Sequence, residues 1–260
     1  SSIGNVKPMS SVTQELTRAK AEVLANNRGD GWHLYNIKVA SLNQLLMLIE
    51  CGGNVQTVIG RGIADTEDVE GYNCASLTGS TVGNGTGNAE STIYEVNGEQ
   101  TTYTEDGKVA VNYRGMENAW GNMYELINGM NIFNNVPYIC KDFNYAEIKN
   151  IGNYANTNIG IANTFGFAKY FGYGGEDHDW LFIPSDANGI PENVIGDYLY
   201  INPTSLEGYR TPIVSGSWAS GDNDGAYTLN IFNGTGYYAR NVGARLVYYP
   251  QTPTAMMAKH

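Results

Sequence analysis

The second half of this chain consists of short apolar runs separated by glycine, asparagine and proline. Trp180–Ile183 and Tyr198–Ile201 end at or just before a proline, and the last run, Ala244–Tyr249, ends at Pro250. Between them, the apolar residues Tyr227, Leu229 and Ile231 alternate with Thr228, Asn230 and Phe232. Short runs bounded by turn-forming residues predict strands rather than long helices. The 32 glycines among 260 residues also favour a fold with many turns.

Two segments near the beginning of the chain have helical periodicity. The first is predicted over Ser10–Asn26, where Ser11 and Gln14 have the spacing of a capping box. The second is predicted near Ala40–Cys51 and is followed by Gly52 as a C-cap. Helical spacing places four apolar residues of this second segment on one face: Leu42, Leu45, Leu46 and Ile49.

Two early helices followed by many short strands predict one α+β domain over residues 1–260. The clearest hairpin joins Thr92–Val96 to Glu99–Tyr103 through Asn97 and Gly98, a pair that favours a two-residue turn. Residues 75–88 are rich in Ser, Thr, Gly and Asn and predict an exposed loop. Residues 75–105 are therefore expected to form an insertion on the core.

The charge of the chain bears on its partners. A net charge of −11 disfavours nucleic acid and anionic membranes, because phosphate contacts require basic surfaces. The sequence contains no apolar run of 18 residues, so it predicts no transmembrane helix. Its first residues do not have the pattern of a signal peptide. Cys51, Cys74 and Cys140 are odd in number and widely spaced, which predicts buried free thiols and synthesis in a reducing cytoplasm.

Few residues have the arrangement of a catalytic or metal site. The three histidines, His33, His178 and His260, are scattered, and HExxH, CxxC, GxxxxGK[ST] and GxSxG motifs do not occur. Glu176–Asp179 and Asp222–Gly225 carry possible metal ligands, but both are better interpreted as solvated polar turns. We therefore expect no catalytic residues, no cofactor and no metal ligands, with a structural calcium ion left open.

Several segments together resemble the variable proteins of diversity-generating retroelements, of the phage and prophage type. The matching segments are His33–Tyr35, Gln56–Gly62, Tyr113–Asn122, Asn128–Ile132, Gly216–Trp218 and Asn241–Arg245. The resemblance covers most of the chain outside residues 70–110. It implies a C-type-lectin-like fold, which here would contain two N-terminal helices, short antiparallel strands and many loops.

The formylglycine-generating enzymes share that fold, and their Gly-Asn-Val-Trp-Glu-Trp motif is similar to Gly121–Leu126 here. Those oxidases need late cysteines, whereas no cysteine follows Cys140. The related iron-dependent sulfoxide synthases need a histidine cluster. The Glu-Pro-Asn calcium motif of animal C-type lectins is also absent, since Pro191–Asn193 has a different order. The resemblance therefore indicates a scaffold rather than these activities.

In the retroelement family, mutation at adenines, mainly in AAC and AAT codons, diversifies the variable region. Changing the first two bases of such codons never gives Lys, Glu, Gln, Met or Trp. Residues 209–250 contain no Lys, Glu, Gln or Met, although these types account for 35 of the 260 residues. Trp218 is the exception and lies in the Gly-Ser-Trp scaffold motif. A glycine-rich β segment poor in long polar side chains is the alternative explanation.

The resemblance implies that the variable region, residues 209–250, binds the ligand. Its Tyr, Ser, Gly and Asn content is typical of a paratope, although tyrosines packed on neighbouring loops are the alternative. We expect ten side chains to contact the ligand: Ser215, Ser217, Ser220, Asp222, Asp224, Tyr227, Phe232, Tyr237, Tyr238 and Arg240. Gly243 and Arg245 are assigned to the scaffold, because the family ends its variable region with Gly-x-Arg.

The expected function is therefore non-enzymatic binding of a protein or carbohydrate surface ligand. The expected location is the virion or the cell surface after synthesis in a bacterial cytoplasm, with a homo-oligomer left open. One alternative is a structural phage tail or baseplate protein without a diversified site. Another is an enzyme of the formylglycine-generating type.

Overall fold

The computed structural model describes residues 4–53, 55–96, 99–102, 105–188, 197–205 and 207–250. Three α-helices lie within these residues: α1 (Arg18–Asn26), α2 (Ile37–Cys51) and α3 (Val55–Val58). The first strands are β1 (Trp32–Leu34), β2 (Ala89–Glu90), β3 (Ile93–Val96), β4 (Glu99–Thr102), β5 (Val111–Tyr113), β6 (Met116–Glu117), β7 (Tyr124–Leu126), β8 (Met130–Phe133) and β9 (Val136–Ile139). The later strands are β10 (Ala155–Asn156), β11 (Gly166–Phe167), β12 (Tyr170–Phe171), β13 (Pro184–Asp186), β14 (Tyr198–Tyr200), β15 (Tyr209–Arg210), β16 (Ile213–Val214), β17 (Leu229–Asn230), β18 (Val242–Ala244) and β19 (Leu246–Tyr248).

The largest sheet has six strands in the order β11-β14-β17-β16-β7-β18. Its β14–β17 and β7–β18 pairs are parallel, and its other pairs are antiparallel. A four-stranded sheet (β10-β9-β8-β15), a three-stranded sheet (β2-β5-β6) and three strand pairs (β1-β19, β3-β4, β12-β13) accompany it. Few helices with many short sheets make a mixed α/β architecture that is compatible with the expected α+β class.

The main core cluster lies between the inner side of α2 and the two larger sheets. Its members include Ile37, Ala40, Met130, Ile132, Leu199 and Leu229. Burial of apolar area of this kind is the main favourable contribution to folding. Trp120 and Trp218 are each fully buried in separate clusters beside it.

The first helix is shorter than predicted. It begins only at Arg18, because the side chain of Thr17 accepts the Lys20 N–H at 3.3 Å and caps the first turn. The hydroxyl of Ser11 instead accepts the Leu16 N–H at 2.8 Å within the preceding bends. The predicted capping box at Ser11 is therefore wrong, and Thr17 is the N-cap.

The second helix agrees in position but buries a different face. It begins after Asn36, whose side chain caps two backbone N–H groups, and it ends at Gly52 with a φ of 75°. Its buried residues are Ile37, Ala40, Ser41, Gln44 and Met47, whereas Leu42 and Ile49 are 55% and 80% exposed. The apolar face predicted from the sequence therefore points largely to solvent.

The late strands are confirmed in part. Tyr198–Tyr200 is a strand, but Trp180–Ile183 is not, and the strand there is Pro184–Asp186. The predicted last strand is divided, because Val242–Ala244 pairs with β7 and Leu246–Tyr248 pairs with β1.

The hairpin strands Ile93–Val96 and Glu99–Thr102 pair with the predicted register, and the turn residues Asn97 and Gly98 lie outside the described residues. The loop before the hairpin is not exposed throughout, because Ala75 and Thr81 are buried. Among the described residues, no helix is long and apolar enough to cross a membrane.

Candidate functional site

The ten residues expected to bind a ligand divide into a buried group and an outer group. The buried group has exposed fractions of 5% or less: Ser215, Ser217, Asp224 and Tyr227. The outer group is half-buried or exposed: Ser220, Asp222, Phe232, Tyr237, Tyr238 and Arg240. A side chain without exposed surface offers no atoms to a ligand. The expectation that the buried four lie on the surface is therefore corrected, and the outer six form what we call the outer face.

The buried residues connect the C-terminal region to the core. The carbonyl of Ser215, a residue with a φ of 78°, accepts the Gly121 N–H at 2.8 Å. The hydroxyl of Tyr227 donates to the Gly52 carbonyl at 3.2 Å, and its ring lies 5.1 Å from that of Phe182. These contacts fix the backbone from which the outer face projects.

A small polar network lies between these layers. The hydroxyl oxygens of Ser217 and Ser220 are 3.2 Å apart, and the amide of Asn241 donates to Ser217 Oγ at 3.3 Å. Ser220 Oγ also lies 3.5 Å from the hydroxyl of Tyr124 on β7. The network therefore joins the first and last parts of the variable region to the central sheet.

Arg240 is held by several acceptors. Its guanidinium nitrogens lie 2.6 and 2.8 Å from the two carboxylate oxygens of Asp68, and it also donates to the carbonyls of Val69 and Tyr72. Asp68 Oδ1 accepts the indole N–H of Trp218 at 3.0 Å as well. This two-point pairing gives Arg240 a fixed geometry.

The electrostatics of this pair follow from its geometry. The hydrogen bond from Arg240, followed by that from Trp218, lowers the pKa of Asp68 below its ordinary value. Asp68 in turn raises the pKa of Arg240. Because its charge is balanced by Asp68, Arg240 positions the surrounding loops and is not a free cation for an anionic ligand.

A second arginine links the outer face to Asp106, which directly follows the insertion. Arg61 lies 3.0 Å from Asp222 and 3.1 Å from Asp106, with Asp65 at 3.9 Å. The N–H of Gly221 donates to the backbone of this same segment. Residues 61–70 therefore flank the predicted site. This flanking segment was not predicted from the sequence. The only signal was the concentration of four carboxylates within residues 65–70, which follows a segment that carries the family resemblance.

The three aromatic residues expected on the face are not equivalent. Phe232 and Tyr238 are 46% and 41% exposed. Tyr237 is half-buried and packs against a core cluster that contains Leu16 and Tyr124. Only Phe232 and Tyr238 present large apolar areas to solvent.

Asp224 lies beneath the face in a site formed by glycines. A Cβ at Gly216 would overlap its carboxylate, and one at Gly121 would lie 2.9 Å from its Oδ2. Its Oδ1 accepts the Gly225 N–H at 2.9 Å, while Oδ2 has no hydrogen-bond partner. Burial, followed by the nearby Asp197, raises the pKa of Asp224 well above its ordinary value. Burial therefore favours the protonated form of this carboxyl group.

A segment that carries the family resemblance and the segment similar to the formylglycine-generating enzymes' motif meet at the edge of the central sheet. Tyr124–Leu126 and Val242–Ala244 pair as parallel strands. Immediately after the second strand, Arg245 pairs with Glu125 and donates to two backbone carbonyls. A Cβ at Gly243 would lie 3.2 Å from Met123 Cε, so a larger residue would displace its neighbours.

The other groups considered for chemistry are separate from this site. His178 is buried in a short 3-10 helix, Glu176–His178, and its Nδ1 lies 3.4 Å from the Gly174 carbonyl. No group of three or more His, Cys, Asp or Glu side chains with metal-binding geometry lies within the described part of the chain. The three cysteines are free thiols, and only Cys140 is buried.

Comparison with known proteins adds no relative. No family model matches the chain, and no curated protein matches it.

Proposed function

We propose that this chain is a non-enzymatic ligand-binding protein with a C-type-lectin-like fold. Its outer face within residues 209–250 would bind a protein or carbohydrate on another surface. A retroelement would diversify that face, and the protein would be displayed on a virion or on a cell.

The observation that carries the proposal is the packing of the resembling segments against each other. The segment Gly121–Leu126 and the segment Asn241–Arg245 are adjacent through β7 and β18, and Glu125 pairs with Arg245. Separate sequence motifs that build one structural unit support a shared scaffold better than isolated matches do. A fixed scaffold on either side of the outer face is what a variable protein requires.

The division of side chains into two layers gives further support. Buried groups such as Trp218 and Asp224 hold the backbone, while Ser220, Asp222 and Phe232 project from it. Substitutions at exposed positions typically change stability by less than about 0.5 kcal/mol. The outer face could therefore vary without loss of the fold, and aromatic rings beside small polar groups suit recognition of diverse surfaces.

The experiment is a pair of libraries selected against one immobilised protein, such as lysozyme. The first library randomises Ser220, Asp222, Phe232 and Tyr238. The control randomises four exposed residues elsewhere: Val82, Phe165, Tyr170 and Tyr173. We expect the first library to remain folded and to yield binders whose specificity follows the new side chains. Equal yields from the two libraries, or loss of folding only in the first, would contradict the proposal.

The alternatives differ in observable ways. A structural tail or baseplate protein would show no excess of substitutions at adenine-rich codons after Tyr209 when isolates are compared. An enzyme of the formylglycine-generating type would bind copper tightly or turn over a cysteine-containing peptide. A nearby template repeat and reverse transcriptase gene would favour diversification.

A further inference from the structure

We propose that Asp68, which lies outside the variable region, is a positioning residue for the outer face and sets the affinity of that face for every ligand it accepts. Asp68 would act through Trp218 and Arg240 rather than by touching the ligand. This inference rests on the proposed function, because it assigns a role in the binding site that the outer face would form.

The carboxylate of Asp68 joins two distant parts of the variable region. Its Oδ1 accepts the indole N–H of Trp218 at 3.0 Å, and its two oxygens accept N–H groups of Arg240 at 2.6 and 2.8 Å. Trp218 lies near the start of residues 209–250, whereas Arg240 lies near their end. Arg240 Cζ is also 5.9 Å from the centre of the Trp218 ring. The three side chains therefore form one unit, in which Asp68 hydrogen-bonds to both of the others.

The backbone of residues 64–68 holds the same part of the variable region. The Thr66 N–H donates to the Trp218 carbonyl at 2.8 Å, and the Ala64 carbonyl accepts the Gly221 N–H at 2.8 Å. Gly221 lies between two members of the outer face. Residues 64–68 therefore fix both the backbone and the side chains on this side of the face.

This segment is itself held by the rest of the protein. The N–H groups of Ala64 and Asp65 donate to the Gly107 carbonyl at 2.9 and 2.8 Å. The Ile63 carbonyl accepts the Asn122 N–H at 2.7 Å, and Ile63 and Ala64 are buried. A support that is already ordered lowers the entropic cost of binding, because the face need not be ordered when the ligand arrives.

The hydrogen bonds of Asp68 also separate it from a direct ligand contact. Both of its oxygens are already bonded to Trp218 and Arg240, so a ligand would have to displace these partners to reach the carboxylate. A face whose exposed side chains vary needs a support that lies outside the varied residues. Asp68 meets this requirement.

Asp68→Asn tests the role with a minimal change of shape. The amide nitrogen, which only donates, would replace one of two oxygens that now accept from donors. Glu70→Gln is the matched control, because it removes the same charge from the same segment. The Glu70 side chain is 97% exposed and lies 3.6 Å from Arg240, and exposed pairs of this kind contribute little.

Hydrogen exchange of the free protein is the first measurement. We expect Asp68→Asn to speed exchange in residues 215–224 and 238–242 by about tenfold or more, because hydrogen bonds to a charged group are lost. Exchange in α2 should not change, and Glu70→Gln should exchange like the wild type throughout. Unchanged exchange around Trp218 and Arg240, or an equal increase in α2, would overturn the proposal.

Affinity is the second measurement, with binders from the library that randomises the outer face and keeps Arg240. One set is selected against lysozyme, a basic protein, and the other against serum albumin, an acidic protein. We expect Asp68→Asn to weaken both sets by about tenfold, because a face arranged correctly for about a tenth of the time binds with a tenth of the affinity. Glu70→Gln should change the affinity of neither set by more than about twofold.

Opposite shifts would identify a different role for Asp68. Weaker binding of lysozyme together with stronger binding of albumin would show that the charge of Asp68 acts on the ligand, which would overturn the proposal. Unchanged affinities would overturn it as well. A library that yields no binder would count against the proposed function, whereas the exchange measurement needs no ligand and decides by itself whether Asp68 positions the face.

Discussion

Arg245 and Glu125 form an ion pair at the edge of the central sheet, with 2.7 Å between Arg245 Nε and Glu125 Oε1. Burial lowers the pKa of Arg245, but the nearby acidic groups, with Glu125 the foremost, together outweigh this effect, and the net shift is upwards. Arg245 also donates to the carbonyls of Glu117 and Asn118. One side chain therefore holds β6, the following turn and β7 in register.

Removing only Arg245 from this pair should lower the free energy of unfolding more than removing both partners does. Arg245→Met leaves the nearly buried Glu125 unpaired, and we expect a loss of about 2–4 kcal/mol in the free energy of unfolding. Adding Glu125→Leu should recover part of that loss, but not the bonds to the two carbonyls. Urea denaturation of the single and double variants measures both values. A double variant less stable than Arg245→Met would contradict this account.

Trp218 and Ser217 are adjacent and buried, but they should differ in their contribution to stability. Trp218→Ala removes a buried indole and should cost about 3–5 kcal/mol. Ser217→Ala removes a hydroxyl whose partners, Ser220 and Asn241, are half-exposed and reach water, so we expect about 1 kcal/mol. Thermal and chemical denaturation compare the two. Equal losses would show that Trp218 is not a scaffold residue.

Tyr237 should matter to the fold, whereas Phe232 and Tyr238 should not. Phe232→Ser and Tyr238→Ser alter exposed rings and should leave the melting temperature close to that of the wild type. Tyr237→Ser removes a ring packed on the core and should cost about 1–3 kcal/mol. The three single variants serve as controls for one another. A large loss from Phe232→Ser or Tyr238→Ser would mean that these rings are structural.

Stability should fall as the pH rises from about 4 to about 7. Burial raises the pKa of Asp197 from 3.8 to about 7, so the folded state binds its proton more tightly than the unfolded state does. This contribution is complete below the unfolded pKa and is lost as the pH rises through the folded pKa. Burial also raises the pKa of Asp224, so this group acts on stability in the same direction. Asp197→Asn should flatten the profile of unfolding free energy against pH, and an unchanged slope would contradict the assignment.

Gly216 and Gly208 provide a matched test of the glycine site around Asp224. Both have positive φ, 74° and 84°, so alanine strains the backbone at each by about 1 kcal/mol. A Cβ at Gly208 meets no atom within 4 Å, whereas one at Gly216 overlaps the Asp224 carboxylate. Gly216→Ala should therefore unfold at a clearly lower denaturant concentration than Gly208→Ala. Similar midpoints would show that Asp224 moves aside freely.

Local chemistry made part of this fold predictable. The Asn-Gly pair in the sequence predicted the register in which Ile93–Val96 and Glu99–Thr102 pair, and Gly52 follows α2 where a residue with positive φ was needed. Apolar periodicity could not reveal which side of α2 faces the core, because both sides are apolar. The core side is chosen by tertiary contacts such as Gln44 with Ala226.

The candidate site was predictable in region but not in detail. The sequence indicated residues 209–250, yet a serine or an aspartate gives no sign of whether it is buried. The buried position of Asp224 requires that Gly216 and Gly121, the second of which is distant in sequence, lack a Cβ. Asp68 belongs to the candidate site because it accepts hydrogen bonds from Arg240 and Trp218, which lie far from it along the chain. Such pairings follow from topology rather than from local pattern.

The antiparallel pairing of β1 with β19 has a consequence for synthesis on the ribosome. Trp32–Leu34 is translated well before its partner, Leu246–Tyr248. Contacts between distant segments form late and slow the folding of a domain. The edge of β1 must therefore wait without its partner while the residues between the two strands emerge, a period in which unpaired strands are prone to aggregation.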